Sequence, residues 1–187
     1  MKSLYKFEEK IRSLINEEQF LSIEWKIQSV DKVLSEGLIN SKQSRVQFKK
    51  TDNPIYRIYS MTKPLISLLT LVAVEQDKLE LKDPVKKYLP YFKNVEVETC
   101  SLKREKLNRP ITILDLLTHT SGLSYGFNSD CHIGNQYKKN QLIHQSNVSL
   151  KKFTKYVAEY PLAFQPGTKW QYSLGTDVLA HALEIIY

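Results

Sequence analysis

The spacing of apolar side chains divides the chain into segments of helix and strand. Apolar residues recur at helical spacing over residues 3–19, which predicts an amphipathic helix with one face to bury. The first strands of a sheet are expected within residues 20–60, and the last of them, IYRIY at 55–59, leads into Ser60. Nearly every residue of 65–74 is apolar, so this segment is expected to form a helix that is buried on most of its sides.

Shorter helices are predicted where capping residues and prolines mark their ends. DPVKKYLPYF begins at Asp83, a good N-cap, with a proline at the first helical position. ITILDLLTHTSGL has Thr112 as N-cap and Asp115 three residues later, and it is expected to end near Gly122. Helical spacing returns in SLKKFTKYVAEYPL, whereas the polar residues 124–147 are interpreted as a long surface loop.

The last predicted helix, TDVLAHALEIIY, follows the turn FQPGTKWQY and runs to the final residue. Its apolar stripe is still present at Ile185 and Ile186, with no glycine, asparagine or polar tail to close it. We therefore expect the chain to be the first half of a longer protein. A few strands followed by many helices place it in the mixed α+β class.

Composition and charge narrow the function classes. The chain has 187 residues, of which 42% are hydrophobic and 25% charged, as is ordinary for a globular protein. Its net charge of +7 comes mostly from lysines that are spread along the chain. Arginine clusters and interleaved aromatic residues, which nucleic-acid recognition favours, are lacking. We therefore expect no nucleic-acid partner.

The two cysteines and the N-terminal segment indicate in which cellular compartment the protein is expected. Cys100 and Cys131 make no disulfide framework, so a reducing compartment is the simpler assumption. Cys131 and His132 could begin a metal site, but a polar loop fits them better because no second pair follows at a zinc-like interval. The N-terminus carries charges throughout, unlike a secretory signal, and no stretch approaches the roughly 20 apolar residues of a membrane span. A cytoplasmic location is expected, and the oligomeric state stays open.

The pattern Ser-x-x-Lys is a candidate for chemistry, but its spacing alone decides nothing. It occurs four times, at Ser3–Lys6, Ser29–Lys32, Ser60–Lys63 and Ser149–Lys152. The first and last copies start charged amphipathic helices, where serine is a good cap, and the second lies in a polar turn. These roles explain the three copies without any catalytic function. Only the third follows a predicted strand and opens an apolar helix.

Ser60 and Lys63 would share one face of the first helical turn if the helix begins at Ser60. Pro64 lacks a backbone N–H and is tolerated only within that turn, which fixes the start near Ser60. The hydroxyl would lie at the positive end of the helix dipole, where a developing oxyanion is favoured. Apolar surroundings would disfavour the charged form of Lys63, which could then act as a base. From these residues alone, a helix cap and a lysine that extends into solvent explain the pair equally well.

Three segments together carry a resemblance that the pair alone does not: YSMTKP, TILDLLTHTSGL and FQPGTKWQYSLGTDVLAHALE. In order and spacing they resemble the serine beta-lactamase and penicillin-binding-protein-like hydrolases, specifically the class C beta-lactamase and family VIII carboxylesterase branch. The resemblance covers most of residues 50–187. It implies that Ser60 is the acylated nucleophile, Lys63 its base partner and Tyr172 the residue that shuttles the proton to the leaving group. His119 is expected to be packed and hydrogen-bonded, and not catalytic.

The same resemblance implies a beta-lactamase/transpeptidase-like fold, in which helices flank an antiparallel sheet and a helical subdomain is inserted. Residues 1–187 would form the N-terminal portion of one catalytic domain. Within it, 1–63 would start the α/β part and 64–187 would be mainly helical. The C-terminal strands, with the third motif of the family, would lie beyond Tyr187.

Leu174 departs from the pattern of the lactam-processing members. They usually read Tyr-x-Asn, in which the amide holds the acyl side chain of the substrate, and YSLGTDVLA is closer to the esterase branch. We therefore expect a serine hydrolase that acts on small-molecule esters or related acyl compounds, including amides, without metal or cofactor. A beta-lactamase or D-amino acid peptidase, and a non-catalytic binding module that keeps the fold, remain as alternatives.

Overall fold

The computed structural model divides into two compact units, Met1–Arg57 and Ile58–Tyr187. It describes residues 2–45, 49, 55–98, 102–142 and 147–187. Helices occur in both units together with short antiparallel strands, which confirms the mixed α+β class. No helix within these ranges combines the length and the apolar character that a membrane span requires.

The first unit contains one helix and a two-stranded hairpin. Helix α1 spans Lys2–Asn16, and strands β1 and β2 span Ser22–Gln28 and Val33–Asn40. The strands pair antiparallel with Trp25 opposite Gly37. A β-carbon at Gly37 would lie 2.4 Å from the Trp25 ring, so the glycine makes room for the indole. The predicted amphipathic helix and first strands are thus confirmed.

The second unit is mainly helical and contains the core. Its elements are α2 Thr62–Glu75, β3 Val97–Glu98, β4 Arg104–Glu105, α3 Ile113–Leu117, α4 His132–Lys139, α5 Leu150–Ala158 and α6 Gly175–Ile186. Helix α6 packs against α2, α3 and α5. Its Val178 and Leu179 are fully buried in a core cluster with Leu116 of α3 and Val157 of α5. The last predicted helix therefore joins α2, α3 and α5.

The segment after Asp83 forms two 3₁₀ turns where we predicted an α-helix. They span Val85–Lys87 and Pro90–Asn94. Pro84 is the N-cap of the first turn and receives no side-chain hydrogen bond, so Asp83 is not the cap. The Asp83 carboxylate instead accepts the Tyr88 hydroxyl at 2.6 Å. The proline at the start of the second turn has no N–H, which prevents one helix from continuing through both.

Residues 124–147 are not a plain surface loop, because α4 forms within them. Ile133, Gly134 and Tyr137 of this helix are buried. A β-carbon at Gly134 would lie 2.5 Å from the Asn128 carbonyl oxygen, so glycine allows the helix to approach the preceding loop. The helix has only two buried apolar side chains, four residues apart, which is too weak a pattern to predict it. Residues 143–146 of the predicted loop lie outside the described residues.

Helix α2 is less buried than its apolar sequence predicts. Its fully buried residues are Thr70 and Ala73. Four of its leucines keep 49% to 59% of their surface exposed: Leu65, Leu68, Leu69 and Leu71. Within its unit α2 packs on α6 through one face, so an apolar composition by itself does not show how many faces of a helix are covered.

Candidate active site

Ser60 lies in a 3₁₀ turn, Tyr59–Met61, that runs directly into α2. The strand predicted at 55–59 does not form: residues 55–58 are irregular, and Tyr59 has a left-handed backbone with φ of +46°. A bulky side chain in this conformation costs of order 1 kcal/mol or more. The exposed Ser60 is therefore presented by a strained turn.

Lys63 and Pro64 occupy the first turn of α2, as predicted. Pro64 needs no partner for a backbone N–H there, which explains why this position tolerates it. Ser60 immediately precedes the N-terminal end of this 14-residue helix. The positive end of the helix dipole favours negative charge that develops beside Ser60.

The structure brings together the three predicted site residues, Ser60, Lys63 and Tyr172. The Tyr172 hydroxyl donates a hydrogen bond to Ser60 Oγ at 2.9 Å, across 112 positions of sequence. Lys63 Nζ lies 5.3 Å from the centroid of the Tyr172 ring. The serine hydroxyl and the phenol are therefore in direct contact, and the amine lies over the phenol ring without a hydrogen bond to either oxygen among the described contacts.

Tyr172 is held by hydrogen bonds on both sides of its backbone. The backbone N–H of Gln171 donates to the His119 carbonyl at 2.9 Å, and that of Leu174 donates to the Ser124 carbonyl at 3.1 Å. The Asn128 side-chain amide donates to the carbonyl of Tyr172 itself at 3.0 Å. The segment 119–128 therefore forms the support that positions the phenol.

That support begins at α3, whose capping box is confirmed. The Thr112 hydroxyl accepts from the backbone of Asp115, and the Asp115 carboxylate accepts from the backbone of Thr112. The same carboxylate binds the Arg109 guanidinium through two contacts of 2.6 and 2.9 Å and accepts the Thr120 hydroxyl at 3.1 Å. The pKa of Asp115 is lowered, because these donors outweigh the opposing effect of burial. The helix ends at Leu117, earlier than predicted.

Gly122 is required in the turn that follows α3. Its φ is +86°, and a β-carbon would lie 2.3 Å from the Phe164 carbonyl oxygen. The Gly122 carbonyl accepts a hydrogen bond from the backbone of Ala163 at 2.7 Å. This close approach joins the turn to the segment that leads to Tyr172.

His119 is packed and hydrogen-bonded, as the sequence predicts. Its ring lies 4.8 Å from the Tyr172 ring, centroid to centroid, and its Nδ1 lies 3.1 Å from Ser173 Oγ. Burial of the imidazole, together with the positive charge of Lys63, lowers the pKa of His119. His119 is thus kept neutral and supports one face of the phenol.

Two aromatic residues that sequence reasoning missed lie beside Tyr172. The rings of Tyr125 and Phe127 have centroids 5.7 and 5.9 Å from that of Tyr172, and 4.5 Å from each other. Tyr125 also lies 5.7 Å from Lys63 Nζ. Burial, and to a lesser extent the charge of Asp177, raises the pKa of Tyr125. Aromatic residues at alternate positions of a loop give no sequence signal for such a cluster.

Asp177 is the charged residue that the sequence analysis did not select. Its Oδ2 lies 3.9 Å from Lys63 Nζ. Burial raises the pKa of Asp177, and the charge of Lys63 offsets this effect only in part. An aspartate in the first turn of a helix is usually explained by the helix dipole, so only the structure reveals this pairing.

Leu174 contributes packing to the core and no polar group to the site. Only 1% of its surface is exposed. Although it is two residues from Tyr172, it caps α6 with its backbone while its side chain joins the apolar cluster. The amide that lactam-processing members carry at this position thus has no counterpart here.

A pocket of about 280 Å³ adjoins the cluster and is lined by Ser60, Lys63, Tyr125 and Asp177. Apolar side chains, among them Leu150, complete its wall. A larger pocket of about 450 Å³ lies elsewhere in the same unit, between Val85 and Ile111. We select the smaller one as the candidate substrate site, because Ser60 and Lys63 both line it.

Cys131 and His132 do not form a metal site with each other. His132 pairs with Glu98, and Cys131 accepts a hydrogen bond from the Ser124 hydroxyl at 3.5 Å. In the part of the chain that the structure describes, no group of three or more potential ligands is placed to hold a metal ion. Cys100 lies outside that part.

Two of the remaining Ser-x-x-Lys copies have the local roles that their positions predict. The Ser149 hydroxyl caps α5 by accepting from the backbone of Lys152 at 3.3 Å. Ser29 and Lys32 close a turn through a backbone hydrogen bond of 2.8 Å. Among the copies whose side chains the structure describes, Ser60 is the one that lies against a tyrosine and beside a lysine.

Comparisons with known proteins identify the family of this chain. A profile of the Beta-lactamase family matches residues 24–186. Esterase EstB of Burkholderia gladioli is 33% identical over 153 residues, which cover 80% of this chain and 36% of the esterase. Acyltransferase calJ of Penicillium decumbens is 32% identical over 130 residues, which cover 67% of this chain and 30% of that protein. The chain thus spans about a third of the length of these relatives.

Among solved structures, EstCE1, "a hydrolase with promiscuous acyltransferase activity", superposes with a TM-score of 0.69 and 25% sequence identity. The superposition covers 99% of this chain and 47% of EstCE1. The fold is therefore beta-lactamase/transpeptidase-like, as the resemblance implied. Because the family profile covers most of the sequence and the esterase exceeds 30% identity over four fifths of it, the chain belongs to the Beta-lactamase family.

Proposed function

We propose that this protein is a serine hydrolase that cleaves esters or related acyl compounds through a covalent acyl-enzyme on Ser60. The observation that carries the proposal is the hydrogen bond between the Tyr172 hydroxyl and Ser60 Oγ, beside the amine of Lys63. A serine hydroxyl is a weak nucleophile until a nearby base accepts its proton. In this site the phenol contacts the serine directly, and the amine lies behind the phenol ring.

In the proposed acylation step a bond forms between Ser60 Oγ and the carbonyl carbon, and the bond to the leaving alcohol breaks. One proton passes overall from Ser60 to that alcohol. Ser60 Oγ attacks the carbonyl carbon while its proton passes to the Tyr172 oxygen, whose own proton passes to Lys63 in those molecules whose amine carries no extra proton. The carbonyl oxygen gains the electron pair, and the positive end of α2 favours its charge. Collapse expels the alcohol, which takes the proton back through Tyr172. Water then releases the acyl group from Ser60 by the same relay.

Transfer of the acyl group to an alcohol is a second outcome of the same intermediate. It requires only that an alcohol replaces water in the deacylation step. The similarity to acyltransferase calJ and to EstCE1 supports this outcome. Hydrolysis of beta-lactams is less favoured, because Leu174 is buried in the core and supplies no amide to the substrate.

Covalent labelling tests the assignment of the nucleophile. A fluorophosphonate probe is expected to modify the wild-type chain at Ser60, with the modified peptide identified by mass spectrometry. Ser60→Ala should abolish this labelling. Ser29→Ala is a matched control, because it removes the serine of another Ser-x-x-Lys copy in an exposed turn, and it should label like the wild type. Equal labelling of the Ser60→Ala variant would contradict the proposal.

A further inference from the structure

Asp177 has a buried carboxylate oxygen whose partner is Lys63. It is the third residue of α6, and Lys63 is the second residue of α2, so the packing of these two helices brings them together. The distance between Asp177 Oδ2 and Lys63 Nζ is 3.9 Å, and the side chain of Lys63 is 16% exposed. The Asp177 side chain keeps 38% of its surface, but its Oδ2 atom has no access to solvent. The exposed part therefore belongs to its other atoms.

Burial of the Asp177 carboxylate oxygen destabilises the fold unless the positive charge of Lys63 compensates for it. Asp177 Oδ2 accepts no hydrogen bond from any residue that the structure describes. A charged oxygen that is removed from water without a hydrogen bond loses solvation that no nearby donor replaces. An ammonium at ion-pair distance is what offsets such a loss. The fold therefore places an anion against Lys63 where an apolar residue would fill the space at less cost.

The titratable groups that face this pair from other segments are neutral in their ordinary states. They are Tyr125, Tyr172 and His119. Burial raises the pKa of Tyr125 and lowers the pKa of His119, so neither adds a charge near neutral pH. Asp177 is therefore the group beside Lys63 whose negative charge stabilises the proton that Lys63 gains.

We propose that Asp177 is a positioning residue that orients the amine of Lys63 and stabilises the ammonium that forms when Lys63 accepts the proton of Ser60. The inference rests on the proposed function. The carboxylate of Asp177 would be a fourth member of the relay after Ser60, Tyr172 and Lys63. In other nucleophilic enzymes, too, a further group orients the base. In this relay the carboxylate of Asp177 takes up no proton. The proton moves from Ser60 through Tyr172 to Lys63 and returns to the leaving alcohol, so no further reactant is needed.

The pH dependence of acylation tests this role. The rate constant for fluorophosphonate labelling is measured against pH for the wild type and for Asp177→Asn, which keeps the shape and removes the charge. Loss of the carboxylate makes protonation of Lys63 less favourable, so the acidic limb of the profile is expected to move to lower pH by about one unit. The rate at the optimum should fall about 10- to 100-fold. Asp177→Glu restores the charge and should recover part of both effects.

A matched control separates positioning from a merely structural role. Glu184→Gln removes an exposed carboxylate from the same helix, and its profile should coincide with that of the wild type. A structural role of Asp177 would lower the fraction of molecules that label, at every pH alike, and would leave the acidic limb in place. That result would overturn the inference while wild-type labelling at Ser60 still supports the proposed function. Absence of wild-type labelling would overturn both.

Discussion

At the scale of single residues, two residues next to the candidate site have left-handed backbone conformations. Tyr59 and His119 both have left-handed backbones, with φ of +46° and +57°. A tyrosine rarely adopts this region, and histidine, which adopts it more often than most residues, still needs contacts to hold it there. Tyr59 presents Ser60, and His119 supports the ring of Tyr172. Local strain on both sides of the Ser60–Tyr172 hydrogen bond thus coincides with the proposed chemistry.

The first prediction concerns the phenol. Tyr172→Phe keeps the ring contacts with His119 and Phe127 but removes the hydroxyl that bonds Ser60. The rate constant of fluorophosphonate labelling is expected to fall at least about 100-fold, the usual worth of a proton-transfer group. The thermal unfolding midpoint should change little, because the ring packing is retained.

The control for this substitution is Tyr160→Phe. Tyr160 packs its ring on Tyr137, outside the Ser60 cluster. The Tyr160→Phe variant should be labelled at the same rate as the wild type. If Tyr172→Phe labels as fast as this control, the phenol takes no part in proton transfer.

At the scale of elements, α3 is a five-residue helix that organises the support of the site. A helix this short has little stability of its own, so its capping box and side-chain contacts decide whether it forms. Asp115 provides most of these contacts, since it bonds Arg109, Thr112 and Thr120. Its role is to fix the start of the segment that holds Tyr172.

The second prediction is that Asp115→Asn destabilises the fold. Asp115 is 4% exposed, and the substitution leaves Arg109 without its carboxylate. We expect a loss of about 2–3 kcal/mol in the free energy of unfolding, measured by urea denaturation at neutral pH. Because the pKa of Asp115 is lowered in the folded state, its contribution is present above the unfolded-state value of about 3.9 and is lost as the pH falls through the folded-state value.

Asp130→Asn is the control for this loss. Asp130 is exposed and bonds only the hydroxyl of the neighbouring Ser129 among described side chains. Its replacement should change the unfolding free energy by less than about 0.5 kcal/mol. An equally small change for Asp115→Asn would show that the α3 network adds nothing to stability.

At the scale of the whole second unit, a buried polar network joins three elements through the core. His181 Nδ1 of α6 lies 2.7 Å from Thr154 Oγ1 of α5 and 2.9 Å from the Tyr91 hydroxyl. Tyr91 and Thr154 are themselves 2.7 Å apart. Since buried polar groups are costly when unpaired, this network fixes the relative positions of α5 and α6. Helix α6 in turn carries Asp177.

The third prediction is that acid weakens this network. Burial is the main cause that lowers the pKa of His181 below its ordinary value of 6.5. The unfolded state therefore binds a proton first, and the contribution of His181 is complete above about pH 6.5 and is lost as the pH falls below it. The free energy of unfolding should decrease over this window, by at most about 1.4 kcal/mol per pH unit for this one group.

His181→Asn tests the source of that dependence. The amide can still meet the hydroxyls of Thr154 and Tyr91 but does not titrate, so the slope of stability against pH should become smaller. His119 is also a neutral buried imidazole and accounts for part of the remaining slope. An unchanged slope in the His181 variant would contradict the assignment.

Features encoded within a few residues could be read from the sequence. The capping box of Thr112 and Asp115, the cap of α5 at Ser149 and the one-turn spacing of Ser60 and Lys63 all depend on neighbours along the chain. The misread segments lacked such signals. Helix α4 has two buried apolar side chains, and the alternation at 55–59 is broken by a left-handed residue. The catalytic assignment of Tyr172 came from the family resemblance, since spacing gave no reason to choose it among eleven tyrosines.

The sequence by itself determined where α2, α3 and α5 begin, which serine opens an apolar helix and which family the chain resembles. Only the tertiary structure decided that the Tyr172 hydroxyl reaches Ser60 across 112 positions and that a carboxylate oxygen of Asp177 is buried against Lys63. The physical reason is the range of the forces concerned. Caps and turns are satisfied by groups a few residues away, whereas burial and the pairing of distant charges exist only after the helices have packed.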